Sequence, residues 1–364
     1  MRILYDYQIF TFQRYGGISN YFFEIIRRIS TSQQVVLGLK YCRCLQAHRL
    51  GLRGRGLDHV FHRLEGLCPH GQSLFIRVSR YTFLTLNMMV FLPLLIRRRF
   101  DLLHLTDNVS VWWLSLLRHP FVCTVHDTIP ELFYKRTPKV CRYLRKRRKI
   151  VEKATRIIAV SENTKKDAIR IWGLSPDKID VVHHGASVVP SERGASRWAA
   201  FAPYVLYVGG RDEYKDFVWF LQAISPLLRE RENLHLLCTG SPFTLQEREK
   251  MSRLGVNDQC CARFFGDDDL FSVYNEASVF VYPSRYEGFG IPILDAFSAG
   301  CPVVLSRASC FPEVAGDAAA YFELDHEEEL RRTVTRVLDD LPYRDELIRR
   351  GKERVRAFTW DNAA

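Results

Sequence analysis

The sequence predicts an α/β chain of two doubly wound, Rossmann-like domains facing across a cleft. Three observations predict it. Apolar strand-like runs alternate with helical stretches twice along the chain, as parallel sheets with crossover helices require. Between the two series, around Val188 to Pro203, the alternation lapses into "VVPSERGASRWAAFAP". The chain has 364 residues, the length of about two domains of 150–200 residues. The expected division is an N-terminal domain over 1–188, a linker over 189–203 and a C-terminal domain over 204–364.

The first series opens with "RILYDYQIF", read as a strand, and a glycine pair. In "ISNYFFEIIRRIS" the residues Ile18, Tyr21, Phe22, Ile25, Ile26 and Ile29 recur at helical spacing and mark one buried face. The strands expected next are "VVLGLKY", "DLLHLTD", "FVCTVHD", "RIIAVS" and "IDVVHHG". The second series reads "YVLYVGG", "LHLLCTG", "ARFFGD", "VFVYPS", "PVVLS" and "AAYFEL". Ligands of doubly wound sheets bind beyond the carboxyl ends of the strands, so the loops after these runs are where chemistry is sought.

Composition narrows the classes. With 47% hydrophobic residues the chain can build ordinary cores, which excludes a disordered reading. The ten cysteines are scattered; Cys42 and Cys44, and Cys260 and Cys261, do not repeat as a zinc pattern. The start "MRILYDYQIF" has no signal-peptide run, so a reducing cytoplasmic compartment with free thiols is expected. Formal net charge is +11, and the window Lys135–Arg156 alone holds eleven basic residues and one acid, Glu152. The excess is thus local, and no nucleic-acid motif accompanies it. Two segments could touch a membrane. "YTFLTLNMMVFLPLLI", Tyr81 to Ile96, is shorter than the roughly 20 residues of a span and reads first as a buried core helix. "TPKVCRYLRKRRKIVEKATR" has an apolar stripe of Val140, Leu144, Val151 and Ala154 and a basic remainder. That remainder faces either solvent or anionic lipid.

The densest motif is "YEGFGIPILDAFSAGCPVV", Tyr286 to Val304. A strand, a glycine turn and a helix with Pro292 in its first turn place Gly288 and Gly290 at a helix N-terminus. Free N–H groups and the dipole there favour an anion such as a diphosphate. Glu287 precedes the turn and Asp295 lies one turn into the helix, on opposite sides of a bound phosphate. Carboxylates repel phosphate but accept strongly from hydroxyls. The pattern therefore suits a ligand with a phosphate centre and hydroxylated rings on both flanks, a nucleotide sugar. In "YVGGRDEYKDF" Arg211 and Lys215 follow a glycine pair and can reach phosphate oxygens. Gly16 and Gly17 form a second glycine turn before a helix. It is not a dinucleotide fingerprint, because the third glycine and the distal acid are missing. "CTVHDTIP" puts His126 and Asp127 at a strand's carboxyl end, either to meet a sugar hydroxyl or only to order the loop. His183 and His184 are read as hinge or cleft residues. Asp267 to Asp269 are read as capping a helix rather than binding metal.

Together these residues resemble the retaining family 4 glycosyltransferases of the GT-B fold, over nearly the whole chain. "EGFGIPILDAFSAGCPVV" matches the family's acid–glycine motif, and Arg211 and Lys215 match its phosphate-binding pair. "QRYGGISNYF", "TVHDTIPELF" and "AVSENTKKDAIR" resemble a bacterial branch that includes mannosyltransferases of surface polysaccharides. The resemblance implies that Glu287 contacts the donor sugar and Asp295 the ribose. It implies that Gly288, Phe289, Gly290 and Ile291, with Arg211 and Lys215, bind the diphosphate. Gly16 and Gly17 would approach that diphosphate, His126 the donor sugar near the reacting centre, and Phe265 and Gly266 the base. Two departures stand out: Asp295 replaces the usual glutamate, and "FTWDNAA" stops where relatives continue into a helix that crosses back to the first domain.

The expected reaction is transfer of a hexose, mannose from GDP-mannose by branch resemblance, to a hydroxyl of a glycan or lipid-linked saccharide. It would proceed with retention, no metal and no cofactor, and with closure of the two domains over the reactants. A nucleotide-sugar epimerase, a glycosidase using Glu287 and Asp295 as its acid pair, and a catalytically silent nucleotide-sugar-binding partner remain alternatives.

Overall fold

A computed structural model describes residues 1–13, 16–40, 42, 74–106, 119–187 and 201–364, with residues 74–81, 267 and 268 described by backbone alone. The described chain divides into two compact units. Unit 1 comprises Met1–Val160, Thr164–Val182 and Trp360–Ala364; unit 2 comprises Ser161–Asn163 and His183–Thr359. The chain thus passes between units at Val182–His183. The linker expected over 189–203 lies outside the described residues except for 201–203.

Unit 1 holds a parallel sheet in the order β2-β1-β3-β4-β5-β6 among the described strands. These are β1 (Arg2–Tyr5), β2 (Gln34–Leu37), β3 (Leu102–Leu105), β4 (Phe121–Val125), β5 (Arg156–Ala159) and β6 (Ile179–Val181). The sequence-expected strand "RILYDYQIF" is shorter than its apolar run, because α1 (Gln8–Phe12) begins within it. Asp6 causes the break. Its buried carboxylate accepts from Gln8 N (3.1 Å), Gln8 Nε2 (2.8 Å) and Thr106 N (3.3 Å), and it also bonds the Thr106 hydroxyl. Those bonds turn the chain out of the sheet and tie the end of β1 to the end of β3.

One face of this sheet is covered by α1 and α2 (Gly17–Ile29), where Ile3, Tyr5, Tyr21, Phe22, Ile25 and Ile26 share a core. Each such side chain contributes roughly 1.5–3 kcal/mol by burial. The final helix, α14 (Trp360–Ala363), also belongs here: Trp360 enters that core, and Arg28 pairs with Asp361 at 2.6 Å. The departure noted at "FTWDNAA" is corrected to that extent.

The other face carries α3 (Leu74–Arg97), α5 (Pro138–Lys153) and α6 (Glu162–Trp172), with Phe91, Leu95, Ile150, Val151, Ala168 and Trp172 in one core with Leu103, Leu105 and Val125. The apolar segment 81–96 is therefore a packed helix, but only half of it is core. Phe83, Asn87, Phe91 and Leu95 are buried at every fourth position, while Met89 and Ile96 face outward. Asn87 fits because it is bonded: its Oδ1 accepts from Lys40 N (3.0 Å) and its Nδ2 donates to Thr11 Oγ1 (3.0 Å). Among the described residues, no helix is long and apolar enough to cross a membrane.

On α5 the core contacts are Leu144, Arg147, Ile150 and Val151. Arg147 is the exception to the basic face. Its Nε meets Glu131 Oε1 at 3.0 Å, off the line of a hydrogen bond, and its Nη2 donates to Asp127 O (2.8 Å). Burial pushes the Glu131 carboxyl up and Arg147 draws it partly back. This pair fixes α4 (Ile129–Phe133) and the loop that carries His126 and Asp127.

Unit 2 holds a parallel sheet in the order β9-β8-β7-β10-β11-β12. The strands are β7 (Tyr204–Tyr207), β8 (His235–Thr239), β9 (Cys260–Arg263), β10 (Val279–Tyr282), β11 (Val303–Ser306) and β12 (Ala320–Phe322). The helices are α7 (Phe217–Glu230), α8 (Leu245–Leu254), α9 (Asp267–Asn275), α10 (Ile291–Ala299), α11 (Phe311–Ala315), α12 (Glu327–Asp339) and α13 (Leu341–Arg354). Counted within the unit, the order is 3-2-1-4-5-6, the dinucleotide-binding arrangement. Connections leave β7 toward one edge and β10 toward the other, so a crevice opens between their carboxyl ends.

Breaking the Arg147–Glu131 pair from one side strands a buried charge. Arg147→Met is expected to destabilise unit 1 by about 3 kcal/mol, with Arg147→Met/Glu131→Met regaining most of it. Urea unfolding of both variants checks this, and equal losses would contradict it.

Candidate active site

The loops after β7 and β10 meet at the switch point of unit 2. Gly209 and Gly210 follow β7. Gly209 N donates to Thr239 Oγ1 (3.1 Å) and Tyr207 OH to Gly210 O (2.8 Å), which pins the glycine turn. A short 3-10 turn, Glu213–Lys215, then aims Lys215 back across the strand ends. After β10, Arg285 N donates to Tyr214 O (2.9 Å) and Arg285 Nε pairs with Asp216 (2.7 Å). The two loops are therefore braced against each other.

At their junction Lys215 Nζ lies 2.6 Å from Glu287 Oε1, with each side chain only 12% exposed. Ser284 Oγ donates to the same oxygen at 2.9 Å. The Glu287 backbone is held by Ser309, whose hydroxyl accepts from Glu287 N (3.2 Å) and donates to Glu287 O (2.6 Å). Tyr282 OH stands 3.5 Å from Lys215 Nζ; burial, and then Glu287, pushes its phenol well above the ordinary range. A lysine and a glutamate in mutual contact at a strand-end crevice form a polar hand with two chemistries. The ammonium can turn to a phosphate oxygen, and the carboxylate can accept from a hydroxyl.

The rest of the acid–glycine motif forms the turn that leads into α10. Gly290 caps α10 with φ 89, a left-handed position that favours glycine, and an added Cβ there would press on Ile293 and Phe311 at 3.0 and 3.3 Å. Pro292 sits in the first turn of α10. Gly288 O accepts from Ser161 Oγ at 2.6 Å. Phe289 stacks on His184, ring centroids 4.8 Å apart, and burial lowers the His184 imidazole to about 3. His183 bonds Glu313 at 2.7 Å. Asp295 is buried one turn into α10, where its Oδ1 accepts from Ser187 N at 2.8 Å. Glu287 and Asp295 are thus held by different partners.

Arg211 is placed differently from Lys215. Its Nε meets Glu247 Oε1 at 2.6 Å, and its Nη2 donates to Ser241 O (2.8 Å) and Pro242 O (2.9 Å). Phe217 and Phe243 flank the guanidinium at 5.6 and 5.0 Å. Glu247 closes the capping box of α8 with Thr244. Burial pushes the Glu247 carboxyl up, but bonds from Arg211 and Thr244 leave it below its ordinary value. Phe265 and Gly266 precede α9, and Gly266 is the residue at its N-cap; Asp267 to Asp269 fill the first turn instead of capping it.

In unit 1, Gly16 and Gly17 open α2. The turn is closely lined: Gln13 Oε1 accepts from Ser19 N (3.2 Å), and a Cβ on Gly16 would collide with that side chain. His126 follows β4 and packs edge-on to Tyr21 (5.0 Å) and Phe22 (5.8 Å) of α2. Asp127 Oδ1 accepts from Ile129 N (3.0 Å), ordering its own loop. Sequence reasoning passed over Ser284, Ser309, Glu247 and Ser187. Only Glu247 carried a signal, the "TLQE" capping box.

This fold and site define a doubly wound α/β enzyme with a cation–carboxylate hand and a helix N-terminus at its switch point. Two family models match it: Glycosyltransferase Family 4 over residues 15–188 and Glycosyl transferases group 1 over residues 202–340. The chain is 31% identical over 263 residues to O-antigen chain mannosyltransferase B of Escherichia coli, covering 66% of this chain and 67% of that protein. It is 24% identical over 263 residues to the serotype-specific mannosyltransferase WbdA of Escherichia coli, covering 67% of this chain and 32% of that one. The chain thus spans about a third of the length of WbdA. Alr3699/HepE of Anabaena, solved with UDP and glucose, shares the fold with a TM-score of 0.71 at 16% identity, over 99% of this chain and 95% of that one. The chain belongs to the family 4 glycosyltransferases and has the GT-B fold.

Lys215→Met leaves a nearly buried Glu287 without its cation. It is expected to destabilise unit 2 by about 1–3 kcal/mol, most of which Lys215→Met/Glu287→Gln restores. Thermal melts of the ligand-free protein check this; no difference between single and double variants would contradict it.

Proposed function

We propose that the chain moves a hexose, mannose from GDP-mannose, onto a hydroxyl of a glycan or lipid-linked saccharide in surface-polysaccharide or lipopolysaccharide biosynthesis. The Lys215–Glu287 contact at the switch point carries the reading. It sets a phosphate-seeking cation and a hydroxyl-seeking carboxylate side by side, next to the N-terminus of α10. The mannose assignment leans on the names of the relatives, an O-antigen chain mannosyltransferase and a serotype-specific mannosyltransferase.

Unit 2 takes the donor and unit 1 the acceptor. The diphosphate lies on the backbone of Gly288 to Ile291 and draws Lys215 toward it. Glu287, released from the ammonium, accepts from the sugar hydroxyls, and Asp295 accepts from the ribose. Arg211 keeps Nε and Nη2 on Glu247 and the loop carbonyls and offers its remaining edge to the leaving phosphate. Phe265 and Gly266 meet the base, and Gly16, Gly17 and His126 serve the diphosphate and sugar as the family likeness implies. The acceptor oxygen bonds to the anomeric carbon on the face the phosphate leaves. The departing phosphate oxygen takes the acceptor proton, so configuration is retained. Cationic side chains and the helix N-terminus stabilise the leaving group without a metal. The enzyme works at the cytoplasmic face of a membrane. The exposed basic side chains of Lys135–Arg156 give it peripheral contact with anionic lipid.

A transfer assay run in EDTA with GDP-, UDP- and ADP-hexoses tests this. Turnover is expected to be highest with GDP-mannose, unaffected by EDTA, and at least about tenfold lower in Arg211→Ala and Lys215→Ala. A preference for a UDP-sugar retires mannose, abolition by EDTA overturns the metal-free chemistry, and near-normal turnover in both variants overturns the phosphate assignment.

A further inference from the structure

The basic window accounts for most of the charge excess, yet a second group of cations stands elsewhere in unit 1. Arg2, Arg97 and Arg99 surround a cavity of about 120 Å³ whose walls are Leu4, Val36, Leu94 and Phe100. Arg98, at φ 49, ends α3 in a left-handed turn, a position usually given to glycine, and so places arginines on both sides of the bend. Among the described residues, no acid lines the cavity. The nearby carboxylate, Asp101, is turned to the backbone, where its Oδ2 accepts from Arg2 N at 2.7 Å. Arg2 Nε is buried and has no hydrogen-bond partner among the described residues. None of the three guanidiniums forms an ion pair among those residues. A buried orphan donor beside two further guanidiniums calls for an anion, and a phosphate matches their fork geometry.

The adjoining surface is apolar. The outward face of α3 presents Met89, Pro93 and Ile96 at helical spacing, with Met89 64% and Ile96 68% exposed. That stripe runs to the arginine cluster. α3 also lies on the same face of the sheet as α5, since both contribute to one core. A cation-rimmed pocket at the end of an exposed apolar stripe matches an amphiphile with a phosphate head and hydrocarbon tails.

We infer that the Arg2–Arg97–Arg99 cavity binds the phosphate headgroup of an anionic phospholipid, with Met89, Pro93 and Ile96 seated against the acyl region. The site extends the bilayer contact proposed for α5 and is independent of the donor chemistry. A headgroup pocket differs from diffuse attraction in that position matters as well as net charge.

Flotation of the full chain with vesicles of phosphatidylglycerol and phosphatidylcholine separates the two. Arg97→Gln/Arg99→Gln and Arg145→Gln/Lys149→Gln remove equal charge from exposed positions. The first pair is expected to weaken binding about tenfold more than the second, and Met89→Ser/Ile96→Ser to weaken it without any change of charge. Loss from the arginine pair alone, with the α5 pair behaving as wild type, would support the pocket while retiring the α5 contact. Equal losses from both pairs would overturn the pocket. So would vesicle binding unchanged in Arg97→Gln/Arg99→Gln while inorganic phosphate raises the melting temperature of the wild type alone, since the site would then serve a free anion.

Discussion

The ion pair between Lys215 and Glu287 is the contact on which the rest of the unit 2 site depends. It exists because two loops end at the same place. One leaves β7 and one leaves β10, and the strand order reverses between them. Nearly every other feature of the site serves that meeting. The Arg285 contacts brace one loop to the other, Ser284 and Ser309 hold Glu287, and the Gly209–Gly210 turn lets Lys215 fold back. The two charges neutralise each other in a nearly enclosed place, where an unpaired one would be costly. A ligand that supplies both a phosphate and hydroxyls can exchange with the pair without stranding either charge.

The two cations named from sequence are therefore not equivalent. Lys215 is held by a carboxylate that, in the proposed function, itself accepts from the ligand, so exchange frees both. Arg211 is held by Glu247, two carbonyls and two aromatic rings. That setting favours a fixed guanidinium presenting one edge over a mobile one. A planar fork suits the fixed place and a flexible point charge the moving one.

Much of the fold was legible because strand and helix periods differ and both sheets are parallel. The α2 face was read residue by residue, since Tyr21, Phe22, Ile25 and Ile26 follow helical spacing without interruption. The end of β1 was not, because an apolar run cannot show that Asp6 would recruit Gln8 and Thr106, the latter a hundred residues away. The outward face of α3 was missed for a similar reason: a helix apolar all round hides which side is core. At the site, Glu287, the glycine turn and Asp295 were visible as a contiguous motif. Ser309 and Ser187 act on partners distant in sequence, and Ser284 is one hydroxyl among many in the loops; nothing in their spacing announces them. The single buried arginine of the basic window could not be told from its ten neighbours until α5 was packed.

The central claim is a division of labour at one contact: Lys215 addresses the diphosphate and Glu287 the sugar. Calorimetric titration with GDP and with GDP-mannose, on wild type, Lys215→Met and Glu287→Gln, tests it most directly. The account predicts that Lys215→Met weakens both ligands, while Glu287→Gln binds GDP normally and loses the added affinity for GDP-mannose. Loss of GDP binding in Glu287→Gln, with Lys215→Met unaffected, would contradict it.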